Sequence, residues 1–358
     1  MKDPFFIPPI PALADWVRPF AQKYNMAVLP QHVHEVLAAA LLYTFIHLVV
    51  SPWISKKYAP QHYPTDKGKR ASWDSHVVSI FQSTLICIVA LWIMFTDNER
   101  AAMDWQGRIW GYTGSSGLVQ SLAAGYFVWD FAITITHLDV FGVGLLAHAV
   151  SALSVYSLGY RPFLNYYATV FILYELSTPF LNIHWFCDKL GLTGTKLQLY
   201  NGIILLFTFF TARLIWGVGQ SAMVWYDIYR ALFTSPETEY MSVTPANEQL
   251  PGTEDVMRYA KEAGPLPLWM AAIYLASNIV LNTLNVFWFS KMIKAVRKRF
   301  EPGAKDFNKE DKLQEKVQVP TGGATANDIA GKLGELRKRR PTLQDLDIEI
   351  EGDLADVQ

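Results

Sequence analysis

Long apolar runs separated by short polar stretches set the rhythm of this chain. Seven runs, near 35–54, 77–95, 118–138, 140–158, 163–186, 202–226 and 266–290, approach the roughly 17–25 residues that let a helix cross a hydrocarbon core of about 30 Å. The pattern predicts an all-α integral membrane protein with about seven transmembrane helices. Polar residues inside the runs recur at helical spacing. In the third run, Tyr126, Asp130, Thr134 and His137 share one face; in the fifth, Glu175, Thr178, Asn182 and Trp185 do so. In the seventh, Asn278, Asn282 and Asn285 repeat the spacing. Three helices therefore turn polar stripes away from lipid.

Ionisable groups at bilayer depth cost roughly 2.5–3.5 kcal/mol on the insertion scale and face a partner or a cavity. Asp130, Glu175 and Arg213 are such groups, and they read either as an ion network that fixes helix packing or as the lining of a polar chamber. The asparagine stripe reads either as interhelical hydrogen bonding or as contact with a lipid headgroup. His148, in the fourth run, is either a neutral hydrogen-bonding group or a proton carrier. Pro179 removes the N–H that would return to the Glu175 carbonyl, so the fifth helix is expected to kink there. Ser177, Thr178 or a water would then supply the missing donor.

Composition agrees with this picture: of 358 residues, 51% are hydrophobic, 14% aromatic and only 18% charged. The net charge of −1 is uninformative, but its distribution orients the chain. Lys56, Lys57, Lys67, Lys69 and Arg70 crowd the first loop, and Lys291, Lys294, Arg297, Lys298 and Arg299 follow the last run. Both segments are expected in the cytosol, which places the N-terminus and the acidic 227–265 loop on the lumenal side. No cleaved signal peptide is expected; the first span would send the chain to the endoplasmic reticulum. Cys87 and Cys187 form no disulfide framework. No glycine-rich phosphate loop and no zinc-type cysteine spacing occur, so neither a metal nor a cofactor is expected and nucleic acid is excluded as a partner. The expected organisation is a lumenal segment 1–34, a first helix with its basic loop at 35–69, a membrane domain at 70–290, and a basic-then-acidic, disordered cytosolic tail at 291–358.

The ordered set "WDSHVVSIFQS" (73–83), "GYFVWDF" (125–131), "LLAHAVSAL" (145–153), "ELSTPFLNIHWF" (175–186) and "NGIILLFTFFTARLIWG" (201–217) resembles the TLC domain. The resemblance implies six helices bundled around a central cavity, preceded by one extra helix. It divides between ceramide synthases, acyltransferases with a His-His pair, and TLC domain-containing proteins tied to membrane lipid homeostasis, and this chain looks like the second group, with a fungal character. Ala147-His148 stands where the pair would be, and Gln82 where the second span often carries histidine. The reading that follows is a lipid-binding, multi-pass protein of the endoplasmic reticulum, leaning away from an enzyme. Its partners would be membrane lipids and the bilayer, with protein partners open. Arg213 would hold a headgroup phosphate, balanced by Asp130 and Glu175, and Tyr126, Thr178, Asn182 and the three asparagines would complete the lining. Two alternatives stand beside it: an acyltransferase with His148 as catalyst, Asp130 as its orienter and acyl-CoA as co-substrate, and a membrane cargo or interaction protein.

Overall fold

The computed structural model describes residues 1–161, 163–235 and 265–300, with side chains to Arg297. The tail after 300 and most of the acidic loop, on which two sequence expectations fall, lie outside the described residues. Contacts divide the chain into compact units 1–285 and 286–358, with the boundary inside helix Leu268–Phe300. The account below concerns the first unit.

Among the described residues, six helices are long and apolar enough to cross a membrane: Leu29–Tyr58, Lys67–Thr96, Gly114–Thr136, Leu138–Leu158, Lys196–Ala231 and Leu268–Arg297. They match six of the seven runs. Their outer faces carry large exposed apolar side chains such as Phe95, Val143 and Phe207. Their inner faces bury Gln82, Arg213, Asn278 and Asn285. A soluble fold reverses this arrangement; apolar outside and polar inside is the signature of a bundle solvated by lipid.

The remaining run, the fifth, is a crossing built in three pieces. Asn165–Phe171 is α-helical, Ile172–Ser177 is a 3₁₀-helix and Thr178–Lys189 is α-helical again. Its start lies beside the 97–113 loop, where Leu164 N–H donates to the Ile109 carbonyl at 2.7 Å. Its end lies by the opposite face, where Trp185 stacks on His76 of the second crossing at 3.7 Å. The chain therefore traverses the bundle between those points. Where a kink is expected, the helix tightens to 3₁₀ form, and Pro179 sits in the first turn of the α-helix that follows, where its missing N–H costs nothing. The Glu175 carbonyl is satisfied by the Thr178 backbone N–H. Of the three donors proposed for it, Thr178 is the one used, through its main chain.

Two further departures from the sequence reading occur near the start. Residues Pro11–Lys23 form a helix, opened by a proline at its first position, and the first crossing begins at Leu29 instead of 35. Two crossings contain π-helical turns, Ile46–Val50 and Phe210–Trp216, which shift the helical register locally. Arg213 lies in the second of these.

On the face shared by the 97–113 loop, Arg108 forms a two-pronged ion pair with Asp227, at 2.7 and 2.9 Å. Tyr167 donates to the same carboxylate at 2.7 Å. The carboxylate raises the pKa of Arg108 further above its ordinary value, despite partial burial. This clamp ties the loop to the end of the sixth crossing.

Candidate functional site

The broken fifth crossing exposes backbone and hydroxyl groups inside the bundle, and Arg213 answers them. Its Nε donates to the Tyr174 carbonyl at 2.9 Å and to Ser177 Oγ at 3.1 Å. Nη1 donates to Asn285 Oδ1 and Nη2 to Thr178 Oγ1, both at 3.0 Å. The cation also lies 4.8 Å from the centre of the Phe209 ring. Every nitrogen of the guanidinium is engaged by neutral groups, and among the described residues no ion pair joins it to Asp130 or Glu175. The expected charge network is therefore corrected: Arg213 replaces the hydrogen bonds that the 3₁₀ segment forfeits, as irregular backbone at membrane depth requires.

The polar stripes expected from spacing extend this seam. Asn182 donates to Ser79 Oγ at 3.0 Å and to the Thr178 carbonyl at 2.9 Å, while its Oδ1 lies 2.7 Å from His76 Nδ1. Asn282 donates to Ser221 Oγ at 2.9 Å and accepts from the Tyr174 hydroxyl at 3.2 Å. Asn278 Oδ1 accepts from the Trp225 indole at 2.8 Å. Asn285 serves Arg213. The three side-chain oxygens of the asparagine stripe thus accept interhelical hydrogen bonds, while Asn285 Nδ2 is buried without a partner.

Beside the seam lies a partly open recess with ≈ 40 Å³ of water-sized space. Glu175, His148 and Asn278 supply its polar lining; Phe127, Ala152, Val155, Phe171, Ile172 and Leu281 are among its apolar walls. Of the ten residues expected to line a chamber, these three are brought together here. Tyr126 instead packs among aromatic rings, edge-on to Tyr43 at 5.4 Å and stacked on Trp129 at 5.7 Å. Asp130 is half-buried on the third crossing and is not part of the recess lining, so the carboxylate that accompanies His148 there is Glu175. Arg213, Thr178, Asn182, Asn282 and Asn285 belong to the seam.

Sequence reasoning missed several buried polar residues. His76, held between Asn182 and Trp185, was visible only as part of a resembling block. Gln82 is fully buried, and neither its amide nitrogen nor its oxygen has a hydrogen-bond partner. At the start of the first crossing, His32 Nδ1 lies 2.8 Å from Glu35 Oε2 and 3.6 Å from Asp3 Oδ2. Asp3 lies outside the crossings; burial and the neighbouring Glu35 push its pKa up to about 7. The spacing of His32 and Glu35 could have signalled one helical face, but nothing in the sequence brings Asp3 to them.

A comparison with known families finds the TLC domain over residues 72–294. An uncharacterised TLC domain-containing protein of Schizosaccharomyces pombe is 36% identical over 288 residues, covering 80% of this chain and 87% of its own. The Saccharomyces cerevisiae protein named topoisomerase I damage affected protein 4 is 29% identical over 279 residues, 76% of this chain and 86% of its own. Human TLC domain-containing protein 4 is 26% identical over 248 residues, 68% of this chain and 81% of its own. No solved structure matches. The domain match over most of the chain and the relatedness to the fission-yeast protein agree with the interrupted bundle: this multi-pass membrane protein belongs to the TLC domain family.

Proposed function

We propose that this protein binds an amphiphilic lipid in the recess beside its fifth crossing and thereby takes part in membrane lipid homeostasis, most naturally in the endoplasmic reticulum. The observation that carries the reading is the chemistry of the recess: polar groups from Glu175, His148 and Asn278 against apolar walls, the mixed lining of a ligand site, with ≈ 40 Å³ of water-sized space as the side chains stand. The Glu175 carboxylate favours a headgroup that donates hydrogen bonds, such as an amine or hydroxyl. A phosphate held by Arg213, the expectation from sequence, is not what the geometry favours, since that guanidinium is spent within the protein. The basic residues Lys56, Lys57, Lys67, Lys69 and Arg70 support a cytosolic location for the 59–66 turn, and the Arg108 loop then faces the lumen.

A second reading rests on one observation, that His148 and Glu175 line the same recess. An imidazole and a carboxyl around one small space can share proton transfer in acyl transfer from acyl-CoA. One preparation separates the two readings. Detergent-purified protein is analysed for co-purifying lipids by mass spectrometry and, in parallel, for acyl-CoA consumption. Lipid binding predicts a donor-bearing lipid enriched over the membrane average, depleted by Glu175→Gln, with no acyl-CoA consumption. Consumption that vanishes in His148→Ala would establish the transferase reading, and absence of any enriched lipid would sink the binding one.

A further inference from the structure

We propose that Asp3, His32 and Glu35 form a binding site for a divalent transition-metal cation of the zinc class, at the N-terminal end of the first crossing. One ligand atom from each of the three residues lies within 4.8 Å of the others. The closest pairs, 2.8 Å and 3.6 Å, bracket the separation of about 3.3 Å between two donors held roughly 2.0–2.2 Å from a tetrahedral zinc. One imidazole nitrogen with two carboxylates suits zinc or manganese better than the all-oxygen preference of calcium and magnesium.

A second observation is independent of the clustering. The Glu35 side chain is fully buried; its Oε2 meets His32, while Oε1 makes no hydrogen bond and has His34 Nε2 at 3.8 Å. A buried carboxylate oxygen without a donor is costly, and a bound cation is one of the few groups that satisfies it. The imidazole is already oriented: Nε2 is hydrogen-bonded to the Tyr112 hydroxyl, leaving Nδ1 to face both acids. A hydroxyl both donates and accepts, so Tyr112 can accept a hydrogen bond from Nε2–H in the tautomer that presents Nδ1 to a metal, the usual outer-shell arrangement for a ligating histidine.

The backbone around the cluster leaves room for it at two glycines. A Cβ on Gly117 would lie 2.5 Å from His32 Nε2, and one on Gly114 would lie 2.4 Å from the Asp3 nitrogen. These positions in the third crossing let the imidazole and the N-terminal segment approach closely. The Asp3 carboxylate is in turn aimed by its other oxygen, which accepts from Phe5 N–H at 2.9 Å. The expectation of no metal came from cysteine spacing, which carries no information about an Asp, His and Glu set.

The test uses the full chain, purified in detergent through a tag without histidines. Elemental analysis after a chelator-free preparation is expected to give about one zinc per chain. Adding zinc chloride to chelator-stripped protein is expected to raise its thermal midpoint, with magnesium chloride giving no rise. Asp3→Asn should abolish retention and rise together while leaving the metal-free midpoint near wild type. Tyr112→Phe should weaken zinc binding about 10- to 100-fold. Glu35→Gln tests the innermost ligand; should it fail to fold, Asp3→Asn carries the decision alone. Wild-type protein without zinc and without a midpoint rise would overturn the site, as would equal zinc binding by wild type and Asp3→Asn, which would mark the ion as adventitious.

Discussion

The polar seam around Arg213 and the acidic cluster around His32 are both buried, yet they differ in one respect. In the seam a single cation meets a ring of neutral acceptors, and each nitrogen is used. In the cluster two acids and an imidazole face each other, and one carboxylate oxygen is left over. The difference separates polar groups that hold a bundle together from groups that await something else. What the seam leaves over is a neutral amide nitrogen, Asn285 Nδ2, whereas the cluster leaves over a carboxylate oxygen, and an unmatched charged atom is the stronger mark of a candidate site.

Substitutions can break this contrast. Arg213→Leu is expected to lose about 2–4 kcal/mol, since it orphans several buried acceptors at about 1–3 kcal/mol each. Adding Glu175→Gln should not restore it, because Glu175 is not its bonded partner. Arg213→Lys should also fail, for a point charge cannot span acceptors set for a planar fork. Thermal melts in detergent decide, and full rescue by either change would refute the seam. Arg108→Gln comes next, at about 1–3 kcal/mol, because Asp227 keeps only Tyr167. A denaturation midpoint unchanged from wild type would show that the clamp is slack.

Smaller effects sharpen the contrast. Burial of Asp97 would raise its pKa, but hydrogen bonds from Ser115, the Arg100 backbone and the amino terminus outweigh this and hold it below the ordinary carboxylate range. Its stabilisation is therefore present above the unfolded pKa and lost as pH falls through the lower folded value. Wild type should lose stability on acidification below about pH 4, and Asp97→Asn should show a flatter acid limb. The smallest effect belongs to the cluster: without metal, Asp3→Asn should change stability by no more than about 0.5 kcal/mol, because it removes one of two facing acids. A large loss would mean that the cluster is self-sufficient architecture like the seam.

Much of the bundle was legible because the bilayer imposes one rule on every crossing. Apolar length located six helices, and period-3.6 spacing correctly grouped Thr178 with Asn182 and aligned the three asparagines. What spacing could not supply was partner identity. Glu175, Asp130 and Arg213 suggested a salt bridge because charge is visible in sequence, whereas the acceptors that Arg213 uses include a main-chain carbonyl that no residue letter records. The division of the fifth crossing was half-legible: Pro179 marked the place, but the 3₁₀ turn before it depends on Arg213, which lies 38 positions after Glu175. Asp3 was invisible as a neighbour of His32 for the same reason, since their approach depends on Gly114 and Gly117 in another helix.

The three-piece fifth crossing also bears on how the protein is made. A segment whose central turn lacks the full α-helical hydrogen-bond set is a poor independent guest for a membrane, and a lone arginine on the next helix is equally unwelcome there. Each supplies what the other lacks. Only residues 190–195 separate them, so the two leave the ribosome as neighbours and suit entry as a hairpin, the first half waiting in a protected vestibule until the second arrives. Chains ended at 195 should therefore leave the fifth segment extractable by alkaline carbonate, whereas chains ended at 235 should hold it. The guanidinium then acts as a timing device in biogenesis, committing two helices to the bilayer in a single step.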